Sequence, residues 1–429
     1  MTTVERYAWT RSSPVRAGPR SLALVAISLV LAAGCTGGLW ESPEGTTGQP
    51  SERPSPSTQP SGVPRATGRI AALDELGNLI AFDADGSDPV VLDGSVPGES
   101  FVRQPTWSPD GARIAWVRLA ADGTSAEVAT AAADGTRPTE TRVAAAPFYL
   151  SWDPTSSRIV YLGGSASADI ELGLVDVAAG SQAVALDAGS PFYFSWNPSG
   201  RQMLVHVGTD RLDRLAIDGT LTTVDDRPGT FNAPVWTSNG RTLVYATQTG
   251  GGQRLVAYDL DADRGEALVR FDGAITFVVS PDGRRIAFQV VRDRTIVVPL
   301  SVLDRRTGAI ERVATDVAVA FFWSPESTKL LSLLPELAED RVWFRWGVWE
   351  DGTSFTTGRF SPSLEFSRDY LQFFEQYAQS MSLWAPDGSA FVYAGSSESG
   401  ETGVWIQPTR SGTAPVLVAD GVFATWSPA

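Results

Sequence analysis

Trp107-Ser-Pro-Asp-Gly111 is a phrase that the chain says again and again. It returns as Trp152-Asp-Pro-Thr-Ser156, Trp196-Asn-Pro-Ser-Gly200, Trp236-Thr-Ser-Asn-Gly240, Val279-Ser-Pro-Asp-Gly283, Trp323-Ser-Pro-Glu-Ser327, Trp384-Ala-Pro-Asp-Gly388 and Trp426-Ser-Pro428. The intervals are 45, 44, 40, 43, 44, 61 and 42 residues, close to the period of a four-stranded propeller blade. Proline presets φ for a turn, Asp or Asn caps it locally, and Gly accepts the positive φ that closes a tight hairpin. The phrase therefore joins two strands. β-rich runs follow it, such as Arg113 to Arg118, Arg158 to Leu162, Thr242 to Ala246 and Arg285 to Phe288, and they predict the second strand of each unit.

The ends of the chain complete the count. Residues 69–93 supply three strand candidates before the first phrase, and the last eight residues supply only a first strand. The C-terminal strand is thus expected to pair beside Arg69 to Asp74 and close the first blade. Eight first strands predict an all-β, eight-bladed β-propeller over residues 69–429, at about 45 residues per blade, with a seven-bladed ring as the alternative if one repeat is degenerate.

The repeated Trp-Ser-Pro-Asp-Gly phrase resembles the hallmark of the TolB-like propeller family, the WD40-like repeat often called PD40. The resemblance covers residues 69–429 and implies the propeller fold. For function it implies less, because propellers of this type serve as binding scaffolds, as gates on peptidases and as receptors. The separate N-terminal domain of TolB has no counterpart in the sequence, so TolB's own role is not carried over.

The start of the chain reads as an address. Arg6, Arg11, Arg16 and Arg20 precede the apolar run Ser21 to Ala33, which at thirteen residues is too short for a bilayer span of roughly 20 and suits a signal-peptide core. Leu31-Ala-Ala-Gly-Cys35 then resembles the lipobox of bacterial lipoproteins, which implies removal of residues 1–34 and acylation of Cys35, palmitate included. The family prefers Leu where Ala32 stands. An uncleaved signal anchor is the other reading of the same run. Residues 35–68 continue as a Pro-, Ser-, Thr- and Gly-rich tether, with 22 such residues among the 33 that follow the cysteine. As flexible coil it would hold the folded domain on the order of 30 Å from the membrane.

Composition excludes several chemistries. The 429 residues carry 34 Lys plus Arg against 49 Asp plus Glu, a net charge of −15, which argues against binding nucleic acid through a general basic field. One Cys and one His form neither an internal disulfide nor the ligand set of a structural zinc site. Asp259-x-Asp261-x-Asp263-x-Gly265 fails as a calcium loop, because its Gly is one place late and Arg270 stands where the bidentate Glu belongs. It reads as a solvated hairpin turn. No metal or cofactor is expected. His206 has no triad partner nearby, and no nucleophile elbow or C-terminal hydrolase domain occurs, unlike in the prolyl oligopeptidases.

The long interval before Trp384 marks an insertion. Phe366, Tyr370, Phe373, Phe374, Tyr377 and Met381 fall on one helical face and predict a short amphipathic helix within 361–380. Upstream, Val342, Phe344, Trp346 and Val348 alternate with Trp343, Arg345 and Trp349. Trp343, Arg345, Trp349 and Tyr370 are the candidate partner-binding residues; the competing reading packs the helix and the Trp pair together as a satellite core. Arg103, Tyr149, Tyr193 and Asn232 stand at related positions before their phrases and are candidates to line an axial pocket, against the alternative of inter-blade packing. The cations after the turns, Arg113, Arg158, Arg201, Arg241, Arg285 and Lys329, are too regular to mark one site and read as structural.

Together these features predict a lipid-anchored protein on the outer face of the bacterial cytoplasmic membrane. Its propeller would bind a protein, peptide or envelope glycan without catalysis. Two other readings stay open: a surface hydrolase or lyase using carboxylates at the axial pocket, and a transport-associated solute-binding lipoprotein.

Overall fold

The computed structural model describes residues 67–96, 98–164, 169–315 and 317–428. The signal peptide, Cys35 and all but the last two tether residues lie outside the described residues. Among the described residues no helix is long and apolar enough to cross a membrane.

The architecture is all-β, built from six antiparallel sheets of four strands and one of eight. One sheet shows the pattern: Ser100–Trp107, Arg113–Ala120, Ala126–Ala132 and Thr139–Val143 lie side by side in chain order. The first sheet draws on both ends of the chain, as expected. Phe423–Trp426 pairs antiparallel with Arg69–Leu73, placing Trp426 opposite Ile70 and Phe423 opposite Leu73. The eight-stranded sheet holds the last two repeats. Phe360–Pro362, at the entry to the insertion, pairs with both Arg341–Glu350 and Ala390–Ser397 and so links them. The first strand of the final repeat shrinks to a single bridge, Trp384 opposite Phe391.

The repeated phrase folds as its residues require. Ser108 Oγ donates to Asp110 Oδ1 at 2.6 Å and accepts from the Arg113 amide at 2.9 Å, while Gly111 takes φ +68°. Ser280, Asp282, Arg285 and Gly283 repeat the arrangement, with Gly283 at φ +72°. Two copies have Ser in place of the Gly, and Ser156 and Ser327 still adopt φ +57° and +65°. Both Ser side chains accept a bond from the preceding turn, from the amides of Asp110 at 3.2 Å and Asp282 at 3.0 Å. A bond between sheets thus offsets the cost of the left-handed conformation.

The tryptophans tie one sheet to the next. Trp107, Trp152, Trp323 and Trp384 each donate an indole N–H to the carbonyl just before the corresponding phrase of the previous repeat: Thr425, Thr106, Val278 and Phe322, at 3.0 to 3.4 Å. Between the sheets, alternate side chains interdigitate in the manner of Ala115, Val117, Leu150, Trp152 and Ile159, which share one apolar cluster. The cations after the turns pair with acids, as expected of structural residues: Arg158 with Asp176, Arg241 with Asp261, Arg285 with Asp351, and Lys329 with Glu326.

Candidate functional site

The insertion is one irregular helical segment, with Phe366–Tyr370 as a π turn, Leu371–Phe373 as a 3-10 turn and Phe374–Tyr377 as an α turn. The changes of pitch rotate its apolar face. Phe366, Tyr370, Phe374 and Tyr377 are buried, but Phe373, grouped with them by helical spacing, turns out to solvent beside Phe148. The predicted helix therefore exists with a broken face.

Of the two sequence readings, docking or packing, its contacts are those of packing. The segment lies across the axis on which the first strands of the sheets converge. Tyr370 stacks on Phe423 with ring centres 4.1 Å apart, and Phe374 meets Phe321 edge-on at 5.1 Å. Tyr377 Oη donates to Gln104 Oε1 at 2.8 Å. Gln376 accepts from the Phe194 amide at 2.8 Å and donates to the Phe194 carbonyl at 2.8 Å and to Tyr149 Oη at 3.1 Å. Gln379 donates to the Pro234 carbonyl at 3.2 Å. Five sheets are thereby bridged by one short segment.

Below this floor lies a cavity of about 550 Å³. Its walls are the repeated phrases themselves: Trp107, Trp152, Trp196, Trp236, Trp323 and Trp384, with prolines such as Pro109, Pro154, Pro198 and Pro325. Glu375, Gln376, Gln379, Ser380 and Met381 line it from the insertion. Glu375 is the sole Asp, Glu, Lys, Arg or His in the lining, and its Oε1 is shielded from solvent with no hydrogen-bond partner among the described residues. Burial pushes its carboxyl up to about 8, only partly opposed by the Phe277 amide. Burial also raises Tyr149, so that phenol stays neutral. Among the described residues no group of three or more His, Cys, Asp or Glu stands together as a metal site.

Against this geometry the comparisons can be set. No family model and no curated protein sequence matches the chain. Solved structures do. A crystal structure of a eukaryotic initiation factor is 11% identical, covering 84% of this chain and 98% of that one at a TM-score of 0.53. Oligogalacturonate lyase in complex with manganese is 13% identical over 81% and 99% of the two chains, at 0.50. TolB from Acinetobacter baumannii is 16% identical over 69% of this chain and 65% of that one, at 0.39, so the match spans less than two thirds of that protein. The likeness is one of fold. The chain has a β-propeller fold.

The sequence candidates scatter across this fold. Of the four axial residues, only Tyr149 reaches the cavity, donating its hydroxyl to Ser380 Oγ at 2.8 Å. Arg103 pairs with Asp369 at 3.5 Å in a separate surface cleft. Tyr193 stacks on Phe231 at 4.7 Å, and Asn232 is buried, its carbonyl accepting the Nδ1–H of His206 at 2.9 Å. Burial depresses the His206 pKa, so the ring is a neutral core group.

The four partner-binding candidates all take part in packing or pairing within the fold. Trp343, Trp349 and Tyr370 are all under 9% exposed. Trp349 meets Trp323 edge-on at 6.2 Å, Trp343 lies 4.2 Å under the Arg341 guanidinium, and Arg345 is held by Glu336 and the Thr357 carbonyl. Packing claims them, yet not as a helix-on-Trp satellite: the aromatic that meets the insertion is Trp346, on the opposite strand face, 6.4 Å from Phe366. The Asp259 loop is a hairpin turn, with Asp259 Oδ1 accepting the amides of Asp261 and Ala262. Sequence reasoning missed Glu375 and Gln376. They sit on the polar side of the predicted helix, which counts as solvent-facing until the segment is laid over a channel.

Proposed function

We propose that the protein is a lipid-anchored, extracytoplasmic binding module, an eight-bladed propeller that captures a small ligand, or one residue of a larger glycan or peptide, in its axial cavity. The blade count takes the eight-stranded sheet as two blades sharing the Phe360–Pro362 strand. The cavity itself carries the reading. At about 550 Å³ it falls in the size range of small-molecule sites, and it sets indole rings beside hydroxyl and amide groups over a floor fixed by five sheets. Hydrolysis by paired carboxylates draws no support from it, because the lining offers one acid where that chemistry uses two.

Equilibrium dialysis of the full chain against an envelope extract, with mass spectrometry of what is retained, tests the proposal. Ala378 lines the cavity, and Ala378→Trp fills it. A compound retained by the wild type and lost from the variant is the expected outcome. Equal retention by both, or none by either, removes the axial cavity as the site.

A further inference from the structure

We infer that the axial cavity takes a ligand bearing an organic ammonium group, with Glu375 as its counter-charge. This deepens the binding reading above and rests on it. Three observations point the same way. Among the described residues the lining holds a single side-chain carboxyl and no Lys, Arg or His. One oxygen of that carboxyl is shielded without a hydrogen-bond partner among the described residues, and no described cation pairs with the group, so its charge is left uncompensated by the protein. Six tryptophans stand in the rest of the wall, and indole faces attract cations through their quadrupole. Anionic sugars and phosphates meet the opposite field.

The titratable groups around Glu375 keep this simple. Tyr193 feels its charge from the neighbouring first strand, and Tyr149 lies on the next. Both phenols are pushed up by burial and stay uncharged through the neutral range. Glu375 is therefore the one group that changes charge in response to a ligand. Near pH 7 the empty cavity holds the acid protonated; an entering ammonium ion favours the carboxylate, and the proton passes to the buffer.

The test uses the full chain in detergent with choline as the probe and 3,3-dimethylbutan-1-ol, its uncharged isostere, as the control. Titration calorimetry at pH 7 in two buffers of different ionisation enthalpy reads affinity and proton release together. The wild type should bind choline about tenfold more tightly than the isostere, releasing close to one proton per choline. Glu375→Gln, which keeps the side-chain shape, should narrow the preference for choline to what the indole faces alone supply, with no proton released. Equal binding of the two probes by the wild type overturns the inference, as does choline binding unchanged by Glu375→Gln. Should the neutral isostere bind and be lost on Ala378→Trp, the cavity remains a binding site and only the ammonium assignment falls. If neither probe binds and dialysis also retains nothing, both readings fall together.

Discussion

Residues 146–164 and residues 364–382 are equally long and rest on different physics. The first is a piece of the repeat, in which Tyr161, Val160 and Ile159 pair with the adjoining strand and Trp152 bonds to the Thr106 carbonyl one repeat away. These partners stand in the next strand or one repeat away, at intervals that the sequence displays. The second is used once. Its Gln376 reaches Phe194, 182 residues away, and Tyr149, 227 residues away. The repeat makes a ring and leaves its centre open; the insertion closes that centre and brings the cavity the one side-chain carboxyl among its described lining residues. Periodic structure thus supplies the container, and the departure from period supplies its chemistry.

The sharpest break of this comparison is Gln376→Leu. Leucine keeps most of the volume but strands the buried amide and carbonyl of Phe194. Two orphaned backbone groups should cost about 4 kcal/mol in urea unfolding. Gln372→Leu, on the outer side of the same segment, should change stability by less than about 0.5 kcal/mol. Equal effects at the two positions would mean that the segment is merely draped over the ring.

Glu375→Gln should act in the opposite direction. In the unfolded chain the carboxyl titrates near its ordinary 4.5, and in the folded chain near 8. Below the first value both states are protonated and the group costs nothing. As pH rises toward 8 the unfolded state ionises while the folded state does not, so stability falls; above 8 the loss levels off. At pH 7 the variant should be more stable by about 3 kcal/mol, with a flatter pH profile between pH 5 and 8 measured as a difference in unfolding free energy. The repeat's own buried titratable group, His206, has the reverse sign, because its depressed pKa withdraws stability as pH falls below the ordinary imidazole value. A wild-type minus variant profile with no slope between pH 5 and 8 would show that Glu375 finds a partner in the folded protein.

The legibility of the molecule follows the same division. The Trp-Ser-Pro-Asp-Gly phrase told its turn geometry directly, because Ser108, Asp110 and Gly111 act on residues within five positions of themselves. The pairing of Phe423–Trp426 with Arg69–Leu73 was legible by counting strands. Tyr149 was found because its place before the phrase repeats. Glu375 and Gln376 were not, since helical spacing ranks residues by face and cannot say that the polar face will meet a channel. Trp343, Trp349 and Tyr370 left two readings open for a related reason: an aromatic residue in an unusual segment looks alike in sequence whether it packs inward or is displayed.

The smallest expected effect probes the repeat against itself. Trp152 and Trp196 occupy the same place in successive phrases, but only Trp152 donates its indole N–H to a neighbouring carbonyl; the Trp196 Nε1 is buried with no partner among the described residues. Trp152→Phe removes a bond and leaves the Thr106 carbonyl unpaired, whereas Trp196→Phe removes a donor that was already unsatisfied. The first should therefore cost about 1 kcal/mol more than the second in urea unfolding, beyond the shared loss of aromatic area. Position 279 shows the limit of the requirement, since Val279 stands there without an indole and Trp323 still bonds to the Val278 carbonyl before it. Equal losses for the two Phe variants would show that the tryptophans hold the sheets together by buried area, with the indole bonds a by-product of their placement.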